Sequence, residues 1–332
     1  MATTVISAFD EFQKDIVNLN PDVTGNARTS RDWLLGKIAG FEAQDDKFPH
    51  LYHDINIGFG SFARHTKIRP LNDIDLMIGL GADQCFYVEH ADKITISTKP
   101  ETVRLTGYLH DNSDYVNSRK VINAFVSSLK NVGQYDKADI NRNQEAATLK
   151  LKSYDWNFDI VPCFQTQTDT YGNSYYLIPD GNGHWKKTDP RIDRSKIKEL
   201  NQRFGGNLLN VIRVVKYWQK RQTMPSMGSY LLETMLLSYY SNRLNCQQWV
   251  DLELHDIFTH LASAVYLPVW DHKGIQGDIN GLTYEDKVKI SVRCTLDAAR
   301  VNEARRYESA QDNKTSIGIW RDILGDNFPL YG

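Results

Sequence analysis

The chain has 332 residues, 41% hydrophobic and 24% charged, with 39 Lys plus Arg against 41 Asp plus Glu and a formal net charge of −2. That is enough apolar chain for one large domain or two closely packed ones. The near-neutral balance removes the electrostatic case for a binder of long nucleic acid, and no apolar run approaches the length of a membrane span.

Along the chain, Ile6, Phe9, Phe12, Ile16 and Leu19 recur at helical spacing and predict a helix over 5–19. The opening residues lack a basic stretch followed by an apolar one, so a secretory signal is not expected and the expected location is cytoplasmic. Thr29 or Ser30 is placed to cap a second helix carrying Trp33, Leu34, Ile38 and Phe41. Residues 54–60 read as the first strand, and Arg69-Pro70 closes the loop before the next. That next strand alternates: Asp73, Asp75 and Met77 share one face, while Ile74, Leu76 and Ile78 point to the other. Adjacent carboxylates repel unless a cation or a raised pKa relieves them. The usual relief is a divalent metal such as Mg²⁺, with substrate phosphates filling its remaining positions.

Residues 95–100 read as a short extended segment, and Val121, Ile122, Phe125, Val126 and Leu129 as the stripe of an amphipathic helix over 117–129. Residues 147–164 read as a hairpin turning at Asp155. Its second strand carries Asp159, a third carboxylate able to lie beside Asp73 and Asp75. Three carboxylates on adjoining strands hold two metal ions, Mg²⁺ or Mn²⁺. Residues 171–178 are extended and 179–183 form a strong turn. From Ile192 the pattern turns helical: 194–204, broken by Gly205-Gly206, then a helix capped by Asn207 through Trp218, then 230–243, 249–266 and 286–308. The fold class expected is α+β, with strands in the first half and a helical bundle in the second.

Around the carboxylates, Gly60-Ser61 suits a phosphate cradle, since glycine lets the backbone approach and the serine hydroxyl donates; alone, such a pair fits any loop. Arg64, His65 and Lys67 follow as further phosphate contacts or a solvated loop. Arg213, Lys216 and Lys220 fall on one helical stripe, which makes Lys216 a candidate triphosphate ligand or simply part of a polar face. The basic residues Lys186, Lys187, Arg191, Arg194, Lys196 and Lys198 suit the guiding of anionic nucleotides or RNA, but acids are interspersed and the stretch reads rather as a solvated surface. Cys85, Cys163, Cys246 and Cys294 are too far apart for a zinc knuckle and read as isolated reduced thiols.

Taken in order, Gly60-Ser61, Thr66, Asp73-Ile74-Asp75 and Phe158-Asp159-Ile160-Val161-Pro162 resemble the polymerase-beta-like nucleotidyltransferase superfamily. Lys216-Tyr217-Trp218, the run from Ser229 to Glu233 and that from Trp320 to Pro329 narrow the resemblance to the bacterial cyclic-oligonucleotide synthases related to cyclic GMP–AMP synthase. It extends from about residue 50 to the end of the chain. The resemblance implies a mixed sheet with an N-terminal helical spine, packed on a C-terminal helical bundle. A nucleotidyltransferase core over 1–190 and a helical domain over 191–332 closing the nucleotide pocket are expected. It further implies Mg²⁺-dependent joining of ribonucleoside triphosphates, ATP among them, into a cyclic di- or trinucleotide messenger of antiphage (CBASS) signalling, with release of pyrophosphate. Asp73, Asp75 and Asp159 would be catalytic and metal-binding, and Gly60, Ser61, Lys216 and Ser229 would hold the donor triphosphate. Tyr230 would stack on a base, its other reading being a partly buried core aromatic. The resemblance also admits Gly332 as a point of conjugation to a target. Three other readings stay open: a linear-product nucleotidyltransferase, such as an oligoadenylate synthase or an RNA or tRNA nucleotidyltransferase; an enzyme that transfers a nucleotide to a drug or protein; and a nucleotide-binding regulatory module without turnover.

Overall fold

The computed structural model describes residues 2–221 and 224–332. The chain divides into two compact units: one takes Pro21–Ala63 and Leu71–Pro190, the other the stretch ending at Asn20, Arg64–Pro70 and Arg191–Gly332. The sequence reading expects a contiguous boundary at 190/191, yet the first 20 residues and the segment 64–70 group with the C-terminal helices. No described helix is long and apolar enough to cross a membrane.

The first unit carries the strands β1 (Ile57–Phe59), β2 (Asp73–Gly79), β3 (Phe86–Glu89), β4 (Ile94–Ser97), β5 (Asp139–Asn143), β6 (Ala146–Lys150), β7 (Asn157–Gln165), β8 (Tyr176–Pro179) and β9 (Trp185–Thr188). They form one sheet in the order β1-β2-β7-β8-β9-β4-β3, with β6 also on β7 and β5 on β6. β2 and β7 are parallel; β1 joins β2, and β6 joins β7, antiparallel. The helix Ser118–Lys130 lies against β5 to β8 and buries Val121, Ile122, Phe125 and Leu129 of the stripe its spacing predicts, with Val126 half-buried. Asn117 caps it by accepting from the amides of Arg119 and Lys120. Phe125 packs edge-on against Phe48 at 5.0 Å, and Phe48 on Phe41 at 5.5 Å. The helix Pro21–Ile38 starts well before Thr29. Pro21 opens it, where a missing N–H costs nothing, and the Thr29 hydroxyl bonds back to the Gly25 carbonyl at 3.2 Å instead of capping.

The second unit is helical: Val5–Phe12 with a π turn over Gln13–Val17, most of Pro190–Arg203, then Leu208–Gln219, Ser229–Ser241, Asp251–Ala264, Tyr284–Ser309 and Asn313–Leu324. Its core packs Trp218 on Phe258 (4.6 Å) and sets Phe9 against Trp320 (4.9 Å) and Phe328 (5.1 Å). The N-terminal helices are thus shared out, the first to this core and the second to the sheet unit. Gly205 and Gly206 end a helix at φ 62° and 93°. Asn207 does not cap the next one; its amide donates to the Cys246 carbonyl at 3.1 Å.

Candidate active site

In the sheet unit, the parallel register sets Asp75 opposite Asp159 and Asp73 opposite Asn157. Ile74, Leu76, Phe158 and Ile160 are buried, whereas Asp73, Asp75 and Asp159 are half-buried on the alternate face. The three carboxylates therefore share one face of two neighbouring strands. Further along, the same face turns apolar, where Met77, Val161 and Cys163 pack with Ile55 and Ile178. Thr148, opposite Asp159 on β6, donates its hydroxyl to Asp159 Oδ1 at 2.6 Å. On the other side, β1 brings Phe59 opposite Asp75 and the chain then turns at Gly60, φ 68°, into the short helix Gly60–Ala63. A Cβ at Gly60 would lie 1.7 Å from Asp75 Oδ2, so only glycine fits. Ser61 follows, half-buried.

This donor set suits a hard divalent cation, because every candidate ligand is a carboxylate oxygen and the backbone at Gly60 leaves Asp75 room. Among the described residues, no group of three or more His, Cys, Asp or Glu side chains is placed to hold a metal ion. Mg²⁺ does not require one, since it is usually held by one or two carboxylates together with substrate phosphates and water.

In the helical unit, a buried ion network centres on Glu233, which is 1% exposed. It accepts from Lys216 Nζ (2.6 Å) and the Thr66 hydroxyl (2.9 Å) at Oε1, and from Arg64 Nε (2.9 Å) at Oε2. Burial pushes the Glu233 carboxyl up in pKa, but Arg64 and Lys216 outweigh it and hold the group below its ordinary value. Burial drives the Lys216 ammonium below the usual lysine range against the pull of Glu233. Lys216 is thus not on an exposed basic stripe: it is 3% exposed and ion-paired. Its stripe neighbour Arg213 donates to Asn210 Oδ1 (2.6 Å) and the His65 carbonyl (3.4 Å). Sequence reasoning gave Glu233 no role; the cue was one acid inside the apolar run from Leu231 to Leu237.

One turn earlier, Ser229 opens the helix, exposed, and Tyr230 follows half-buried. The Tyr230 hydroxyl lies 2.6 Å from Asp271 Oδ1 and 2.9 Å from Asp193 Oδ1, its two possible acceptors, and it accepts from Lys273 Nζ. Burial and the two carboxylates push the phenol well above its ordinary pKa. In the basic stretch, Lys186 and Lys187 pair with Glu145 and Glu89, both at 2.5 Å, in keeping with a surface whose charges are matched.

No protein-family model matches the chain. It is 45% identical over 334 residues to a probable cyclic nucleotide synthase of Bacillus cereus strain VD146, covering 100% of this chain and 99% of that protein. A cyclic AMP-AMP-AMP synthase of an Acinetobacter species is 23% identical over 278 residues, 81% of this chain and 71% of that protein. Among solved structures, CdnC of E. coli MS115-1 with ATP aligns with a TM-score of 0.69 at 16% identity, covering 98% of both chains. The same protein in its complex with HORMA-deltaN aligns at 0.70. At such identities the structural likeness speaks for the fold.

Proposed function

The chain belongs to the bacterial cyclic-oligonucleotide synthases, nucleotidyltransferases of the polymerase-beta-like superfamily, and we propose that Asp73, Asp75 and Asp159 are the carboxylates on which it joins ribonucleoside triphosphates. The enzyme makes cyclic oligonucleotides. The observation that carries the proposed site is the register pair Asp75–Asp159 beside a glycine whose Cβ would collide with Asp75.

Enzymes of this family typically use divalent metals, and Asp73, Asp75 and Asp159 are proposed to hold two Mg²⁺ ions, or Mn²⁺. Bound there, the metal neutralises phosphate charge and lowers the pKa of an attacking hydroxyl. Asp159, fixed by the Thr148 hydroxyl, is proposed to take the proton of the acceptor ribose hydroxyl. The backbone at Gly60 and the Ser61 hydroxyl donate to the donor phosphates, whose terminal two leave as pyrophosphate. Lys216 and Ser229 are proposed to hold that triphosphate and Tyr230 to meet a base. Catalysis of this kind is mostly positioning and charge neutralisation.

ATP is proposed as one substrate, in line with the ATP-bound structural neighbour and the AMP-only product in the Acinetobacter relative's name. The product is proposed to be a di- or trinucleotide messenger in cytoplasmic antiphage (CBASS) signalling. A protein partner is proposed, in line with the neighbour's HORMA-deltaN complex. Conjugation through Gly332 is a further proposal, supported by the exposure of Leu330 (67%) and Tyr331 (46%) ahead of it. Mass spectrometry of protein from its native host, with and without phage, is expected to find an isopeptide-linked Gly332; free termini alone would refute it.

Incubation with labelled ATP, GTP, CTP and UTP in Mg²⁺ tests the main reading. Phosphatase-resistant labelled product is expected. Phosphatase-sensitive chains would instead indicate a linear-product enzyme, and no incorporation a regulatory module.

A further inference from the structure

A tyrosine that only fills a core needs one partner for its hydroxyl. Tyr230 has three, two of them carboxylates and one an ammonium. Lys273 lies 3.0 Å from Asp271 Oδ1 and 3.4 Å from Asp193 Oδ2, with a side chain only 6% exposed. Withdrawing three charges from water is costly unless each is closely paired, so this is an expensive way to anchor one phenol.

The anchors are themselves anchored. Asp271 accepts the backbone N–H groups of Ile275 (3.2 Å) and Gln276 (3.1 Å) at Oδ2 and of Lys273 (3.2 Å) at Oδ1. The loop closes on itself through Asp271 N–H to the Gly277 carbonyl and Gly274 N–H to the Asp271 carbonyl, both 2.9 Å. Asp193 comes from the helix Pro190–Arg203. The hydroxyl is thereby tied to a closed loop and to a helix, while the ring is carried by a third element. Arg64, already held by Glu233, has its guanidinium carbon over the ring, 5.7 Å from the centroid, and Lys273 Nζ lies over the ring at 4.0 Å, so the ring is also held by cations, one of them from the ion network that contains Lys216.

We propose that Asp193, Asp271 and Lys273 are positioning residues that clamp the Tyr230 hydroxyl and hold the ring as a fixed stacking platform for the base of a nucleoside triphosphate. This rests on the reading of Tyr230 as a base contact. A platform fixed before binding spares the ordering cost that a free side chain meets when the base arrives. The clamp acts on binding and leaves the chemical step alone, so its loss appears in KM rather than kcat.

Four variants decide it, with KM and kcat measured for each nucleoside triphosphate and melting temperature as the control for folding: Tyr230→Phe, Asp271→Asn, their double mutant and Tyr230→Ala. Tyr230→Phe and Asp271→Asn are each expected to raise KM about 3–10-fold, less than loss of the whole stack would, with kcat within about twofold. The double mutant is expected to match Tyr230→Phe, because once the hydroxyl is gone Asp271 has no phenol left to hold. Tyr230→Ala is expected to exceed them. If Tyr230→Ala raises KM and Tyr230→Phe does not, the clamp is refuted and the base contact stands. If Tyr230→Ala leaves KM unchanged for every nucleotide, Tyr230 meets no base and both ideas fall. Should Asp271→Asn unfold its loop, Tyr230→Phe, which keeps the ring, decides alone.

Discussion

At Asp75 two demands meet: a carboxylate facing Asp159 across a parallel register, and a backbone so close that a Cβ at Gly60 would lie 1.7 Å from Oδ2. Gly60→Ala must therefore displace Asp75 and also strain a backbone at φ 68°. A displacement of about 1 Å in such a site costs about 100-fold in rate, and a loss of kcat of at least that order is expected in steady-state assays. Asp73→Asn with Asp75→Asn should reduce product to background and leave the metal-free melting temperature unchanged or raised, because two like charges are removed; near-normal turnover would show that these groups are not the metal ligands. Glu233 behaves oppositely. Glu233→Gln leaves Lys216 and Arg64 buried with no carboxylate between them, and breaking such a pair costs about 3–5 kcal/mol. Because the folded pKa of Glu233 is depressed, its stabilisation is full above the unfolded value near 4.5 and is lost as pH falls through the folded value. Denaturant titrations of both proteins should therefore show the gap narrowing below about pH 4.5; a pH-independent gap would mean that charge is not what Glu233 contributes.

Among the elements, β7 decides the site, because it pairs with β2 on one edge and β6 on the other and so brings Asp75, Asp159 and Thr148 into line. Thr148→Val keeps the β-branched shape and removes only the bond to Asp159 Oδ1. It should lower kcat by about tenfold, the equivalent of one modest hydrogen bond, with KM for the donor nucleotide little changed; an unchanged kcat would make Thr148 a strand residue only. This pairing was legible in the sequence, since acids interrupt an otherwise regular Ile/Leu alternation in β2 and a turn residue, Asp155, marks the hairpin that presents Asp159. Other elements were not. β5 has a single buried side chain, Ile140, and so no alternation to read. β9 is Trp-Lys-Lys-Thr, and its two lysines find Glu145 and Glu89 only through long-range folding. Glu233 was hidden for a similar reason: its helix buries residues nearly all round, so no polar face sets apart an acid that points inward. The stripe of Phe9 and Phe12 announces a buried helix, but that Trp320 and Phe328 cover it is decided some 300 residues later.

For the molecule as a whole, the chain enters the helical unit, leaves it for the strand β1, returns for Arg64–Pro70 and comes back for good at Arg191. The brief middle visit supplies Arg64 and Thr66 to the Glu233 network, so its anchoring matters to a site many residues away. Arg69 is the anchor. Its guanidinium donates to the carbonyls of Asp15 (2.6 Å), Lys14 (2.8 Å) and Asn18, the unpaired acceptors where the first helix ends. A cation there also meets the negative end of the helix dipole, and the Arg69 amide adds a bond to the Val17 carbonyl at 3.0 Å. Arg69→Ala keeps that backbone bond and removes the side-chain ones, a loss of about 2–3 kcal/mol for contacts to a charged donor. Two units need not unfold as one, so calorimetry is the suitable measurement. The variant should lower the transition of the helical unit by about 4–12 °C, at about 2–4 °C per kcal/mol for a unit of this size, and leave that of the sheet unit in place. Hydrogen exchange should rise at residues 14–18 and 64–70 and at Glu233, and not at β2 or β7. An even loss of protection over both units would refute a local role for Arg69.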